Sequence, residues 1–170
     1  MGRWQCLNDA VAPTRNILHN FNVHLSLQTD YGLRVLMLLA ASDRQMSVDE
    51  IARSYGISRN HLAKVAQRLQ SLGYIATARG RGGGLKLVTA PDQMNVGTIV
   101  RKLENLDTFV ECMSQERNLC PAVGACGLQG AFGLALHDFL KRLDQYTVAD
   151  LIPNKIQFFG QMHTVSPLDE

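Results

Sequence analysis

Ser47 to Val88 runs SVDEIARSYGISRNHLAKVAQRLQSLGYIATARGRGGGLKLV, and its pattern decides the fold. Ser47 followed by Glu50 is a capping-box pair that opens a helix. Val48, Ile51, Ala52 and Tyr55 form the inner face of that helix, and Gly56 breaks it. Ser58 is placed to cap the next helix, whose apolar positions are Leu62, Val65, Ala66, Leu69 and Leu72. Gly73 stops that helix in a C-cap position. Two helices across a glycine-containing turn give the helix-turn-helix outline. Two strand-like runs follow, Tyr74–Ala78 and Leu85–Val88, joined by Arg79-Gly80-Arg81-Gly82-Gly83-Gly84. A hairpin with a basic, glycine-rich tip directly after a helix-turn-helix is a wing.

Outward from this segment the chain is helical. Leu33, Leu36, Met37 and Ala40 recur at helical spacing and predict a first helix over Leu25–Ala41. After Pro91, a fourth helix is predicted from Val96, Ile99, Val100, Leu103 and Leu106. A loop from Asp107 to Gly127 leads into a long helix, Leu128–Tyr146, whose Leu128, Phe132, Leu136, Phe139, Leu140 and Leu143 make one apolar stripe. Thr147–Leu151 is expected to add a turn, and Asn154–Glu170 to be a loose tail. The fold class is thus mainly α, a winged helix-turn-helix followed by a long C-terminal helix. The expected organisation is a disordered extension at 1–24 that need not belong to the working protein, a DNA-binding unit at 25–90, a linker helix and cysteine loop at 91–127, the long dimerisation helix at 128–152 and a tail at 153–170.

The chain has 170 residues, 46% apolar and 19% charged, enough for one well-cored domain with an added helix. No run of ~18 uncharged apolar residues is present, and Arg15 and His19 interrupt any signal-like stretch, so a cytoplasmic location is expected. Net charge is +2, but it is unevenly spread. Residues 25–88 carry nine Lys/Arg against four Asp/Glu, whereas 89–170 carry six against ten. Between Ser58 and Lys86 stand Arg59, Lys64, Arg68, Arg79, Arg81 and Lys86 with no acid. One-signed charge of this density attracts a polyanion.

Duplex DNA is the polyanion that a helix-turn-helix suits. Recognition helices contact bases from their N-terminal part, here Ser58, Arg59, Asn60 and His61. Arg59 can pair with guanine and Asn60 with adenine, while Lys64 and Arg68 suit phosphates. Arg79 and Arg81 project from a tip thin enough for a minor groove, where Gly82 and Gly83 give the backbone its freedom.

Three of the four cysteines crowd into the loop as Cys112-x7-Cys120-x5-Cys126. Such crowding without an export signal points to metal or redox chemistry. A structural zinc site normally has four ligands and a short Cys-x2–4-Cys knuckle, which is missing here. Three thiolates suit an iron–sulfur cluster with a non-cysteine fourth ligand; zinc and a redox thiol switch remain alternatives. No Cys–His pair is evident, and most of the length goes to the winged helix, so an enzyme is not expected.

The chain resembles the winged-helix iron–sulfur repressors of bacteria. The resemblance runs from about Leu25 to Leu151. It rests on Thr29-Asp30-Tyr31-Gly32-Leu33-Arg34, Tyr55-Gly56-Ile57-Ser58-Arg59-Asn60-His61-Leu62, the Arg79–Gly84 tip, the three cysteines, and Tyr146-Thr147-Val148-Ala149-Asp150-Leu151. Ser58-Arg59-Asn60-His61 looks most like the nitric-oxide-sensing branch, NsrR. The cluster-assembly branch, IscR, carries a histidine ligand where this chain has Gln129. The resemblance implies a homodimer held by the long helix, and a cluster (2Fe–2S or 4Fe–4S) on Cys112, Cys120 and Cys126. It also implies Asp30 as a ligand supplied to the partner subunit's cluster, with His137 and Glu111 as weaker candidates. The implied function is repression at an inverted-repeat operator, relieved when nitric oxide attacks the cluster. An iron-responsive regulator of the RirA kind is the nearest alternative, and a zinc-stabilised DNA-binding adaptor a further one.

Overall fold

The computed structural model describes residues 24–78, 80, 83–114 and 118–164. The extension expected at 1–24 lies, apart from His24, outside the described residues. Helix α1 spans Leu27–Ser42, opened by Ser26, whose Oγ accepts from the Thr29 amide. It ends where Asp43 turns left-handed at φ 51°. Val35, Leu36, Leu38, Leu39 and Ala40 are all buried, whereas Leu33 and Met37 only border the core. The buried surface is therefore wider than the stripe expected from spacing. The reason is that α1 is packed from several sides: by α3 (Arg59–Ser71), α4 (Val96–Leu103), the second strand and the last helix.

Helix α2 spans Val48–Tyr55, and the Ser47 Oγ accepts from the Glu50 amide at 3.1 Å, as the capping pattern predicts. The Glu50 carboxylate pairs with Arg44, which holds its carboxyl below the ordinary range, and the Ser47 amide pulls the same way. Strands β1 (Ile75–Ala78) and β2 (Gly84–Leu87) form an antiparallel hairpin with Ile75 opposite Leu87 and Ala78 opposite Gly84. Met46, between α1 and α2, adds an isolated antiparallel rung on the other edge of β2. Its amide donates to the Leu85 carbonyl at 3.0 Å, and the Leu85 amide donates back at 2.7 Å. The hairpin is thereby fixed to the entrance of α2.

Leu106 is not on α4 as expected, but in a short 3-10 turn, Leu106–Thr108. Helix α5 spans Leu128–Leu143 and stops before the expected Tyr146. Its end is captured by both ends of α4. The Asn95 Nδ2 donates to the Asp144 carbonyl at 2.7 Å, the Val96 amide to the Tyr146 carbonyl at 2.9 Å, and Arg101 clasps the Asp144 carboxylate through both Nη atoms at 2.5 and 2.8 Å. The expected turn at 147–151 is closed by Asp150, which accepts from the Thr147 amide and hydroxyl, each at 2.8 Å. Helix α5 itself buries only Leu140, against Val96 and Val100.

The loose tail expected from Asn154 onward does not hold for its first part. Lys155–Thr164 is a helix, α6, capped by the Asn154 Oδ1, which accepts from the Gln157 amide at 3.0 Å. Phe158, Phe159 and Met162 pack on the main core, and the Arg44 guanidinium lies 5.9 Å from the Phe159 ring centroid. None of the helices among the described residues is long and apolar enough to cross a membrane.

The rung at Met46 makes a sharp prediction. A Cβ on Gly84 would stand 2.5 Å from the Met46 carbonyl oxygen and 2.7 Å from its carbon, both backbone. Gly84→Ala should therefore cost about 1–3 kcal/mol, measured by urea denaturation. Gly130→Ala, with nothing within 4 Å of the new methyl, should cost nothing or stabilise.

Candidate nucleic-acid interface and cysteine loop

The turn between α2 and α3 is made by Gly56, at φ 62°, a left-handed conformation that glycine adopts without strain. The Ile57 amide donates to the Ala52 carbonyl at 3.0 Å and closes the turn. Leu62, Val65, Ala66 and Leu69 then face the core. Ser58, Arg59, Asn60, His61 and Lys64 are exposed along the opposite, N-terminal part of α3. The structure thus brings five of the residues expected at DNA onto one surface. Ser58 stands at the N-cap position, but its side chain makes no capping hydrogen bond.

Two of the cations are already engaged. Arg59 pairs through Nε with the Asp49 Oδ1 at 2.5 Å, an acid in the first turn of α2. Arg68 lies toward the far end of α3, where its Nη2 donates to the Lys102 carbonyl of α4 at 3.0 Å. That bond ties Arg68 to α4 through one terminal nitrogen and leaves the other donors of an exposed guanidinium open to a phosphate. Lys102 in turn lies over the Tyr74 ring, with Nζ 5.3 Å from the centroid. Of the wing tip, Arg79, Arg81 and Gly82 lie outside the described residues. Gly80, at φ 99°, accepts from the Gly83 amide at 2.8 Å.

Behind the interface, Tyr55 joins α2 to α1. Its hydroxyl donates to the Arg34 carbonyl at 3.0 Å, and the Arg34 guanidinium stands 5.7 Å from its ring centroid. Arg34 also pairs with Asp30 one turn earlier, at 2.9 and 3.0 Å. Asp30 is thus half-exposed and tied within its own helix. The start of that helix is held from α4: the Glu104 Oε2 accepts from the Ser26 amide at 3.1 Å and from its hydroxyl at 3.0 Å.

Glu104 is the residue at which the chain leaves α4 for the cysteine loop. In that loop Asn118 bridges two of the cysteines. Its Nδ2 donates to the Cys112 carbonyl at 3.4 Å, and its Oδ1 accepts from the Cys120 amide at 3.3 Å. Glu111 accepts from the Leu119 amide, which makes it a loop tie. The Cys126 sulfur accepts from the Leu128 amide at 3.4 Å, at the start of α5. All three cysteines are free thiols, Cys112 and Cys120 half-buried and Cys126 exposed. Among the described residues no three His, Cys, Asp or Glu side chains converge on a metal-sized site. The loop therefore assembles the three thiols in one segment without drawing their sulfurs together. His137 and Gln129 are exposed on α5.

Residues 25–154 match a family model described as Rrf2, iron-dependent transcriptional regulator. The chain belongs to the Rrf2 family. Members of this family regulate transcription and are not enzymes, and this Rrf2 protein is a transcriptional regulator. It is 46% identical over 133 residues to the HTH-type transcriptional regulator NsrR of Bacillus subtilis, covering 77% of this chain and 91% of that one. Identity is 44% over 133 residues to NsrR of Bacillus licheniformis, covering 77% and 93%. It is 42% over 135 residues to that of Halalkalibacterium halodurans, covering 78% and 92%. Among solved structures, IscR of T. potens superposes with a TM-score of 0.62 at 22% identity, over 78% of this chain and 88% of that one. CymR, the global cysteine regulator of B. subtilis, gives 0.59 at 24%, over 76% and 95%. These two share the fold.

Sequence reasoning missed Asp49 and Glu104, and it placed Tyr55 on an inner helix face without its hydroxyl bond to Arg34. Asp49 reads as an ordinary acid at a helix start, and nothing local in sequence links it to Arg59. Burial pushes the Tyr55 hydroxyl up to about 12. Folding thus favours its neutral form, so stability is unaffected below the unfolded value near pH ~10 and falls as pH rises from there through about 12. Tyr55→Phe should cost about 1 kcal/mol at neutral pH and flatten that alkaline loss, measured by thermal melting across pH.

Proposed function

We propose that this Rrf2 protein is a homodimeric repressor that binds an inverted-repeat operator and releases it in response to nitric oxide. The observation that carries the reading is the presence of three free thiols in one loop of a chain 46% identical to NsrR, the branch whose members sense nitric oxide. Homodimerisation is supported by α5, where Leu128, Leu134 and Phe139 are exposed on a helix that buries one side chain in its own subunit. Apolar surface of this extent favours a partner helix.

The donor chemistry fits an iron–sulfur cluster: soft thiol ligands, no disulfide and solvent access. Cys112, Cys120 and Cys126 would hold it, with Asp30 of the other subunit as fourth ligand. When bound, the cluster supplies iron open to attack by a small diatomic molecule. The rest of the response belongs to the chain. Asn118 couples Cys112 to Cys120, so that the two move together. Glu104 ties the entrance of the loop to the first turn of α1. Arg34, one turn further along α1, connects that helix to the end of α2 through its carbonyl and the Tyr55 hydroxyl, a link that persists when Asp30 leaves the Arg34 guanidinium to serve as ligand. On this reading Ser58, Asn60, His61 and Lys64 meet the duplex, with Arg59 on a base and the wing residues Arg79, Arg81, Gly82 and Gly83 at the minor groove. A hundredfold loss of operator affinity needs a change of only about 2.8 kcal/mol between the two states.

A second reading, regulation by iron supply, is favoured by the family description, iron-dependent. One experiment separates them. Full-length protein, loaded anaerobically with iron and sulfide, is titrated with nitric oxide while visible absorption and binding to a duplex selected from a randomised library are followed together. Nitric oxide should bleach the absorption and release the duplex in parallel. Release by a chelator with indifference to nitric oxide would establish the iron reading. Zinc without iron in the purified protein, with DNA affinity unmoved by either reagent, would replace both with a structural role. Replacing Cys112, Cys120 and Cys126 together by serine should abolish the absorption and the response while the chain stays folded.

A further inference from the structure

We propose that Asp49 sets the DNA specificity of this protein by holding Arg59 for base reading and repelling phosphates from it. The inference rests on the DNA-binding reading above and deepens it. Arg59 opens α3, the end of a recognition helix that meets base edges. Its side chain is 67% exposed, and Asp49 is 57% exposed, so the pair lies on the surface that the duplex would cover. No acid occurs between Ser58 and Lys86. The negative charge at the reading end is therefore supplied from α2.

An arginine at such a position faces a choice between acceptors. Phosphate oxygens are charged and present in every sequence, whereas guanine O6 and N7 are neutral and sequence-specific. An unpaired guanidinium takes either. A carboxylate beside it changes the balance in two ways. It repels phosphate, which bears the same charge, and leaves a neutral guanine edge unopposed. It also fixes the side chain before binding, which lowers the ordering cost of one particular contact. The ion pair runs through Nε, at 2.5 Å. The guanidinium has five N–H donors on two edges, so engagement on the Nε edge is compatible with a two-point contact from the terminal nitrogens. Arg53, one turn along α2, donates from Nε to the Asp49 carbonyl at 3.3 Å and leaves the carboxylate for Arg59. Asp49 acts through Arg59 and is a positioning residue.

The test uses the full-length, anaerobically loaded protein with a duplex selected by the wild type from a randomised library and an unselected duplex of equal length. Wild type, Asp49→Asn, Arg59→Ala and the double variant are compared at each substituted base pair. Asp49→Asn should tighten binding to the unselected duplex roughly three- to tenfold and steepen its salt dependence. It should weaken the guanine preference by roughly fivefold or more at the position where Arg59→Ala abolishes it. The double variant should match Arg59→Ala in base preference, and Asp49→Glu should restore the low affinity for unselected DNA. An unchanged ratio of selected to unselected affinity in Asp49→Asn overturns the proposal, as does an equal weakening of both. If Arg59→Ala keeps the wild-type base profile, the proposal fails while the repressor reading stands. If the wild type selects no sequence, the repressor reading itself fails. A helix-end role alone would move the melting temperature and leave every base preference in place.

Discussion

The structure depends on the burial of α1 from several directions at once. Val35, Leu36 and Leu38 have no solvent exposure, and Leu39 and Ala40 have almost none. Each buried valine or leucine among them contributes about 1.5–3 kcal/mol, so this helix is the member that every neighbour must fit. Gly32 shows how tightly. A Cβ there would come within 2.6 Å of the Leu103 Cδ1, so α1 and α4 approach at a distance that only glycine permits without a shift of Leu103. A close-packed element of this kind transmits displacement because it has little room to absorb it.

The position of α1 gives the regulator its logic. One end is fixed to the threshold of the cysteine loop through Ser26 and Glu104. Its middle carries Arg34, whose carbonyl and guanidinium both meet Tyr55 at the end of α2. The reading helix α3 packs along it. On the proposed reading, chemistry in the loop and contact with DNA are thus two loads on one helix. The Met46 rung fixes the wing to the same frame. The clasp of Asn95 and Arg101 on Asp144 anchors the C-terminal end of α5 to α4. In a dimer, a shift on one side would be shared with the other subunit through α5.

The helix-turn-helix and wing were legible because their signals are local: a capping serine, glycines at two helix ends, and apolar residues at one period. Where burial came from several directions, the periodic signal blurred, and Val35, Leu38 and Leu39 of α1 were not picked out. Helix α6 was hidden for a related reason. Lys155-Ile156-Gln157-Phe158-Phe159-Gly160 has no clean stripe, and it holds its place through Phe158, Phe159 and Met162 against a core made elsewhere. The partners of Arg59 and Arg68 are tertiary and left no trace in spacing. The cysteines were conspicuous in sequence, yet the fold of the single chain does not bring their sulfurs to one point. On the proposed reading, that convergence would come with the ligand and the second subunit, which local sequence does not encode.

On the proposed reading, cysteine loop and DNA-binding head share α1. Amide hydrogen exchange, compared between the metal-free and the anaerobically cluster-loaded homodimer without DNA, tests it most directly. Altered protection is expected in the loop and, in the same experiment, along the first turns of α1 and at the α2–α3 turn around Tyr55 and Ile57. Changes confined to residues 106–127, with α1 and the turn identical in both states, would contradict it.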